Sequence, residues 1–307
     1  MNWFWFALIA LICWSGSDLF SKIGCCGEKD KTAHLKMVVA VGIVMGLHAA
    51  YMIVFHHVSV TWDVVWTYLP VSLLYILSMT LGYVGLRYIE LSISSPICNS
   101  SGALVAVLCL CTGALSDYNG PQKAVILCAV GLVCLGVVGL GVVEAREDDD
   151  LRRRRQEHAN RKYAKSWLAI CLPVAYCLLD AAGTFADSLV LERLNEDSAN
   201  VAYELTFLLA AVVCFVYVVL IKRDRLVPKM EAPKYVGAVC ETAGQFAYIY
   251  AIADTEHLAM SAPIIASYCA ASVLWSRIFL KEKLSWKHYA MIALIVAGIA
   301  IMGVFDL

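Results

Sequence analysis

Two stretches of this chain, residues 91–136 and 258–303, repeat each other at one constant offset and without a gap. Nine of the paired positions are identical, among them Pro96 with Pro263. Both stretches are long apolar runs, which are typical of membrane-spanning helices. Two similar halves in a membrane bundle point first to transport, because they can rock around a shared site between them.

The composition also indicates a membrane protein. Hydrophobic residues make up 61% of the chain, above the roughly 45–50% of soluble domains. Ten segments are long enough to cross the hydrocarbon core, which needs about 20 apolar residues per helix. The predicted spans are Trp3–Ile23, His34–Phe55, Thr67–Ile89, Ile93–Leu115, Pro121–Val143, Ser166–Val190, Asn200–Lys222, Pro233–Ala253, His257–Leu280 and Ser285–Phe305.

Basic residues are distributed very unevenly between the two sides of these spans. Of the 24 Lys and Arg residues, only Lys123 and Arg193 lie outside the odd-numbered loops and the span ends beside them. Because basic residues next to spans stay in the cytoplasm, both termini are expected outside. Five spans per half then place the second copy upside down. The expected fold is an all-α membrane protein of ten transmembrane helices in two inverted five-helix repeats.

A charged segment separates the halves. Its acidic run Glu147–Asp150 lies beside the basic run Arg152–Arg155. A basic cluster beside a span usually sets topology and has some affinity for anionic lipid headgroups, so membrane lipids are expected partners and nucleic acid is not. The expected divisions are a first repeat over 1–143, a cytoplasmic linker over 144–165 and a second repeat over 166–307.

Metal and cofactor chemistry is not expected. Most of the 13 cysteines lie inside predicted spans, where a thiol behaves as a small apolar side chain. Cys25 and Cys26 lack the second pair or matching histidine of a zinc site, and His48 is interpreted as a hydrogen-bonded interior residue. The chain also lacks a nucleophile elbow and a phosphate loop. An intramembrane enzyme and a receptor or scaffold are therefore the less favoured classes.

Several motifs together resemble the drug/metabolite transporter superfamily. They are Trp14–Ser17 (WSGS) in the first span and Leu280–Trp286 (LKEKLSW), which is followed by an apolar helix with Gly298 and Gly303. With ten spans in two halves, the chain is similar to the EamA-type branch. This resemblance implies a carrier of a small organic molecule in the plasma (inner) membrane of a bacterial cell, working as a monomer or homodimer.

The resemblance also implies a central cavity lined by spans one to four and six to nine, with spans five and ten at the periphery. One motif position differs between the halves, since Leu115 stands in the first copy where Glu282 stands in the second. Glu282 is therefore interpreted as a structural or gating residue at a helix end.

Ionisable side chains inside the spans are functional candidates, because a charge at the bilayer centre costs about 2.5–3.5 kcal/mol on insertion scales. The acidic ones are Asp18, Asp180, Asp187, Glu204 and Glu241. Asp18 follows Trp14 by one helical turn in span one. Asp180 follows Tyr176 by one turn in span six. Each half therefore presents an aromatic ring and a carboxylate on one helix face.

An aromatic ring beside a carboxylate suits a cation, so the expected cargo is a cationic or zwitterionic amine. The alternatives are a neutral metabolite (nucleobase, sugar or vitamin) and proton-coupled multidrug export. The same acids could instead carry protons, because burial favours the neutral form of a carboxyl group. Protons and sodium are the candidate coupling ions, and the coupling candidates are Asp18, Asp180, Glu204 and Glu241.

Three of the acids also have simpler interpretations. Asp18 can form an ion pair with Lys22 one turn further on. Asp187 lies close to the outer end of its span, where we expect it to be hydrated. Glu204 opens the predicted seventh span, where a carboxylate is favoured by the helix dipole even without a ligand.

In span eight, Glu241, Gln245 and Tyr248 share one helix face and are expected to line the cavity. The counterpart in span three is Leu74, Ser78 and Leu81, with Tyr75 adjacent. Pro96 and Pro263 are expected to open spans four and nine, where a missing amide donor costs little. The predicted substrate-binding residues are Trp14, Tyr75, Asn99, Tyr176, Asp180, Glu241, Gln245, Tyr248 and Tyr268.

Overall fold

The structure, a computed structural model, describes residues 2–25, 30–88, 91–113, 115–116, 118–145, 168–281 and 284–306. All regular structure in these ranges is helical, as the apolar runs predict. The linker from 146 onward and the motif residue Glu282 lie outside the described residues. The division of the chain into repeats and linker therefore stays a prediction.

The described residues of the first half form six helices, because the fourth span is broken in two. They are α1 (Trp3–Cys25), α2 (Ala33–Phe55), α3 (Trp62–Tyr88), α4 (Leu91–Asn99), α5 (Ser101–Thr112) and α6 (Gly120–Ala145). The second half repeats this order. Its helices are α7 (Leu168–Leu191), α8 (Glu196–Phe215, continued by a π-helical segment, Val216–Ile221), α9 (Pro228–Ile252), α10 (Leu258–Ala266), α11 (Tyr268–Phe279) and α12 (Trp286–Asp306).

Nine helical segments of the described chain are long and apolar enough to cross a membrane. Helix α9, the predicted eighth span, is not among them although it has 25 residues. Its low hydropathy follows from the charged residues near its start and at its middle: Lys229, Glu231, Lys234 and Glu241. Because α9 packs along α1 and α2, most of these charges lie inside the protein.

The breaks in spans four and nine fall at Ser100 and Ser267, which are paired positions of the repeat. Pro96 and Pro263 are each the sixth residue of the short helix before the break, so the expectation that they open their spans is wrong. A proline inside a helix lacks the amide donor to the preceding turn. Both helices end three residues later.

Helices of one half pack mainly against helices of the other. Helix α1 lies along α9, α3 along α7, α2 along α8, and α6 along α12, while α5 crosses α10. Exchanging the two halves turns the α1–α9 pair into the α7–α3 pair and leaves α2–α8 and α6–α12 unchanged. It turns the α5–α10 pair into α11–α4, which are also in contact. This symmetric packing is consistent with the inverted repeat predicted from the sequence.

Small residues allow the closest of these approaches. A Cβ atom on Gly102 of α5 would lie 2.4 Å from the Cβ atom of Ala266 in α10. A Cβ atom on Gly298 of α12 would lie 2.6 Å from the carbonyl oxygen of Ala129 in α6. Glycine at these crossings lets two backbones approach closely, as is common between membrane helices.

A polar cavity between the two halves

A cavity lies between the two halves. Side chains of α1, α3, α4 and α5 line it from the first half, and those of α7 to α11 line it from the second. Helices α6 and α12 lie outside it, as the resemblance implied for spans five and ten. Helix α2 contributes none of the described lining residues, contrary to expectation, because it packs behind α8 and α9.

All nine residues predicted to bind substrate line this one cavity. They are Trp14, Tyr75, Asn99, Tyr176, Asp180, Glu241, Gln245, Tyr248 and Tyr268. Polar residues in a membrane span are costly to expose to lipid, so they collect where the helices face each other. Substrate binding by these residues stays a prediction.

Asp18 also lines the cavity, at a point where three spans meet. Its carboxylate accepts hydrogen bonds from the hydroxyl groups of Ser95 in α4 (2.5 Å) and Ser272 in α11 (2.8 Å). The Lys22 ammonium group, one turn further along α1, donates to the carbonyl oxygen of Leu86 at 2.8 Å. Asp18 is thus held by serines from both halves, and the interpretation as an ion pair with Lys22 is not supported.

Asp180 occupies the corresponding place in the second half. Its carboxylate accepts a hydrogen bond of 2.7 Å from the hydroxyl group of Ser101 in α5. Glu241 lies across the cavity on α9, beside Trp14 and Ser17 of α1. Three carboxyl groups from three different spans therefore face the same space.

The aromatic residue one turn before each aspartate is seated against a glycine of the facing helix. A Cβ atom on Gly244 of α9 would lie 2.4 Å from Cδ1 of Trp14, and one on Gly82 of α3 would lie 3.0 Å from Cε2 of Tyr176. Trp14 and Tyr176 are separated along the chain by the same number of residues as Gly82 and Gly244. The ring–glycine contact is therefore itself repeated.

These glycines correct the pairing between spans three and eight. We align the two halves at Gly82 and Gly244. The counterparts of Glu241, Gln245 and Tyr248 are then Met79, Tyr83 and Leu86. All three of these α3 residues line the cavity. The expected counterparts Leu74, Ser78 and Leu81 are not among the lining residues. The offset between the halves changes because the connection before α10 contains a 3₁₀ turn, Thr255–His257, and is longer than that before α4.

A layer of hydroxyl groups borders the cavity on one side. We call Tyr75, Thr184 and Tyr248 the hydroxyl layer. The Tyr75 and Tyr248 hydroxyl groups are hydrogen-bonded to each other, and both lie within 3.3 Å of the Thr184 hydroxyl oxygen. Behind this layer, the Tyr75 hydroxyl donates to the carboxylate of Asp187 at 3.3 Å.

Asp187 is fully buried, so the expectation that it is hydrated is wrong. It lies four residues before the end of α7, but α3, α8 and α9 supply aromatic side chains that cover it. The spacing of polar residues along α7 indicates that Asp187 faces the protein interior. Asp187 follows Asp180 by seven residues and Thr184 by three, a spacing that places all three on one helix face.

Glu204 lies outside the cavity, in the middle of α8. The helix begins at Glu196, where the Asn195 side chain accepts hydrogen bonds from the backbone amides of Asp197 and Ser198, so the helix-dipole interpretation is wrong. Glu204 is fully buried, with its Oε1 atom 2.7 Å from His48 Nδ1 and 3.1 Å from Asn200 Nδ2. His48 is thus hydrogen-bonded, as its interior position predicted.

Sequence reasoning missed a group of buried charges at one end of the bundle. We call this end, where α1 ends and α2 and α9 begin, the basic end, and the opposite end the terminal end. The ion cluster consists of Asp30, Lys36, Glu231 and Lys234, all at most 7% exposed. The Lys36 ammonium lies 3.1 Å from Asp30, and the Lys234 ammonium lies 3.0 Å from Glu231 and 3.6 Å from Asp30.

The ion cluster continues into the connection between α8 and α9. Asp224 in this connection lies 3.2 Å from the Lys36 ammonium and accepts a hydrogen bond of 2.5 Å from the Thr32 hydroxyl. The Thr32 hydrogen bond holds the pKa of the Asp224 carboxyl below its usual range, and Lys36 adds to this effect. The cluster thus joins connections of both halves at the basic end.

Comparisons with known proteins relate the second half of the chain to one family. Residues 167–304 match the model of the EamA-like transporter family. A solved structure described only as "Crystal structure of protein" superimposes with a TM-score of 0.63 over 97% of each chain, at 14% identity. At this identity the likeness concerns the fold alone. No curated protein matches the sequence. Within the described residues, no group of three or more His, Cys, Asp or Glu side chains is placed to hold a metal ion.

Proposed function

Since residues 167–304 of this multi-pass membrane protein match the EamA-like transporter family, we propose that the chain carries a cationic or zwitterionic amine across the membrane by alternating access. The family match makes it a membrane transporter of small molecules. The class of cargo is inferred from the chemistry of the cavity.

The proposal rests mainly on the acidic side chains of the cavity wall. Asp18, Asp180 and Glu241 line it, and among the described lining residues there is no Lys, Arg or His. Ionised carboxylates away from water are stabilised by an opposite charge within about 4–6 Å. An ammonium group is the cargo that would supply this charge.

Aromatic rings form much of the remaining wall. Six tyrosines and Trp14 are among the described residues that line the cavity. The Trp14 ring lies between Tyr248 and Tyr268, with ring centroids 5.0 Å and 5.8 Å away. An aromatic face attracts a cation through its quadrupole, most strongly where water is excluded. The wall is thus suited to an amine with apolar substituents.

A hydrogen-bond donor also faces the cavity. The Nε2 atom of Gln245 is buried and has no hydrogen-bond partner among the described residues. Leaving a buried donor unpaired costs about 1–3 kcal/mol, so a ligand that accepts from it gains that much. A carboxylate or carbonyl oxygen of the cargo would fill this role, which is why a zwitterion is included in the proposal.

The cargo class is tested by a ligand-stability screen of the purified chain with amines, amino acids, nucleobases, sugars and organic anions. A ligand that binds only the folded state stabilises it by about 2.7 kcal/mol at one hundred times its Kd. We expect melting temperatures to rise with amines or amino acids. A rise confined to neutral sugars, nucleobases or organic anions would contradict the proposed class.

Removing single cavity charges tests the role of the acids. We expect Asp180→Asn and Glu241→Gln each to weaken binding of the amine found in the screen about tenfold or more, which corresponds to about 1.4 kcal/mol. Asp63→Asn is the matched control, because Asp63 is exposed at the start of α3. Unchanged affinity in both cavity variants would mean that these acids only pack the helices.

The broken helices are the parts that we propose to move. Pro96 and Pro263 precede breaks beside the cavity, where α5 crosses α10. Alanine restores the missing amide donor, which stiffens the short helix before each break. We expect Pro96→Ala and Pro263→Ala to lower the transport rate in proteoliposomes several-fold, with little change in melting temperature. Equal losses of rate and of folded protein would count against a role in movement.

A further inference from the structure

Asp187 is a buried acid that the cavity does not use. It is 0% exposed and is not among the lining residues. The hydroxyl layer separates it from the cavity, since Tyr75 and Tyr248 line the cavity and Tyr75 donates to Asp187 from the other side. A cargo that fills the cavity therefore does not contact this carboxyl group.

Among the described residues, the groups that face Asp187 are uncharged. They are Tyr68 and Tyr75 of α3, Tyr203 of α8 and Tyr248 of α9. On its own helix, Asp180 lies two turns away. Helices α4 and α5 also pack against α7. Their only titratable residues are cysteines: Cys98, Cys109 and Cys111. No cation among the described residues is placed to balance an ionised Asp187.

The two oxygens of this carboxyl group also differ in their hydrogen bonds. Oδ2 accepts from Tyr75. Oδ1 is buried and makes no hydrogen bond of normal geometry in the described part of the chain, although the Tyr68 hydroxyl, which is likewise unpaired, lies beside this carboxyl group. A buried carboxylate that lacks both a cation and a full set of donors is strongly disfavoured, and such a group takes up a proton instead. On Oδ1 the proton would neutralise the group and leave the Tyr75 hydrogen bond in place.

We propose that Asp187 is a proton-binding site separate from the substrate cavity. Asp187 takes up a proton while the hydroxyl layer is closed and releases it when the layer opens and admits water. The coupling role of this site rests on the proposed transport function. Proton binding itself does not, because it follows from the burial of Asp187 and the neutrality of its neighbours.

The position of Asp187 suits this role. It lies one turn before the end of α7 at the terminal end, so separation of α3 and α9 from α7 would expose it to water on that side. The cavity acids Asp18, Asp180 and Glu241 remain free to hold the amine. Proton and cargo then occupy different sites, and the hydroxyl layer between them links the two.

The first experiment needs no substrate. Infrared difference spectra are recorded between two pH values on the full chain in lipid bilayers, for the wild type, Asp187→Asn and Asp180→Asn. We expect the wild type to show the carbonyl stretch of a buried protonated carboxyl group, and Asp187→Asn to lack it. Asp180→Asn should retain that band. A band that survives unchanged in Asp187→Asn would overturn the proposal.

The second experiment uses proteoliposomes, a pH gradient and the amine found in the screen. We expect Asp187→Asn to exchange amine for amine but to lose gradient-driven accumulation at least tenfold, because the amide resembles the protonated acid and cannot titrate. Accumulation like that of the wild type would refute the coupling role. If no amine binds at all, the proposed function fails while the infrared result still decides proton binding.

A third variant covers the case in which Asp187→Asn does not fold. Tyr75→Phe keeps the ring and removes only the hydroxyl group that donates to Asp187. Loss of this hydrogen bond should move the carbonyl band of the protonated Asp187 to higher frequency. A band at the wild-type frequency in Tyr75→Phe would show that the protonated group lies elsewhere, which also overturns the proposal.

Discussion

Gly244→Ala is expected to weaken binding of the amine about tenfold or more, corresponding to about 1.4 kcal/mol. The new Cβ atom would lie 2.4 Å from Cδ1 and 2.7 Å from Nε1 of Trp14. Both distances are far below van der Waals contact, so the indole ring must move. Since the ring already contacts Tyr248 and Tyr268 and lines the cavity, its displacement changes the cavity wall.

The measurement is a binding isotherm for the amine found in the screen, with the melting temperature as a check on folding. Gly131→Ala in α6 is the matched control, because a Cβ atom there would meet nothing within 4 Å. Alanine is favoured over glycine inside a helix by about 0.5–1 kcal/mol, so the control should retain affinity and fold slightly better. Wild-type affinity in Gly244→Ala would show that the Trp14 ring is not a wall of the binding site.

Lys234→Met is expected to destabilise the protein by about 3–5 kcal/mol, the usual cost of breaking a buried ion pair by removing one partner. The Lys234 side chain is 1% exposed, with Glu231 at 3.0 Å and Asp30 at 3.6 Å from its ammonium nitrogen. Its removal leaves two buried carboxylates to share Lys36. We expect a lower melting temperature in detergent and a lower yield of folded protein.

Two controls define this result. Lys229→Met removes an exposed charge from the first turn of the same helix, α9, and should change stability by no more than about 0.5 kcal/mol. Adding Glu231→Gln to Lys234→Met removes one uncompensated carboxylate, so the double variant should recover part of the loss. Equal stability of Lys234→Met and Lys229→Met would mean that water reaches the ion cluster.

The sequence was sufficient for the helical class and for nine of the residues that line the cavity. The reason is physical. In a span such as α7, a side chain can face lipid or protein, and the cost of exposing Tyr176 or Asp180 to hydrocarbon leaves only the second choice. Helical spacing then puts both on one face. That simple choice is why all nine predicted residues line one cavity.

The same reasoning did not separate acids that face the cavity from acids that lie behind its wall. Asp180 and Asp187 are seven residues apart on one face of α7, yet Asp180 lines the cavity and Asp187 is covered by tyrosines. Glu204 faces His48 of α2, far along the chain. Periodicity within one helix indicates the direction of a side chain and contains no information on the neighbouring helix that meets it.

The ion cluster and the pairing of spans three and eight show the same limit. Asp30 and Lys234 are brought together only because α1 packs along α9. Met79, and not Leu74, is the counterpart of Glu241, because the longer connection before α10 changes the offset between the halves. Short-range spacing along the chain therefore determined the helices and their polar faces. Contacts between distant segments, which depend on connection lengths and close packing at glycines, were decided only by the tertiary structure.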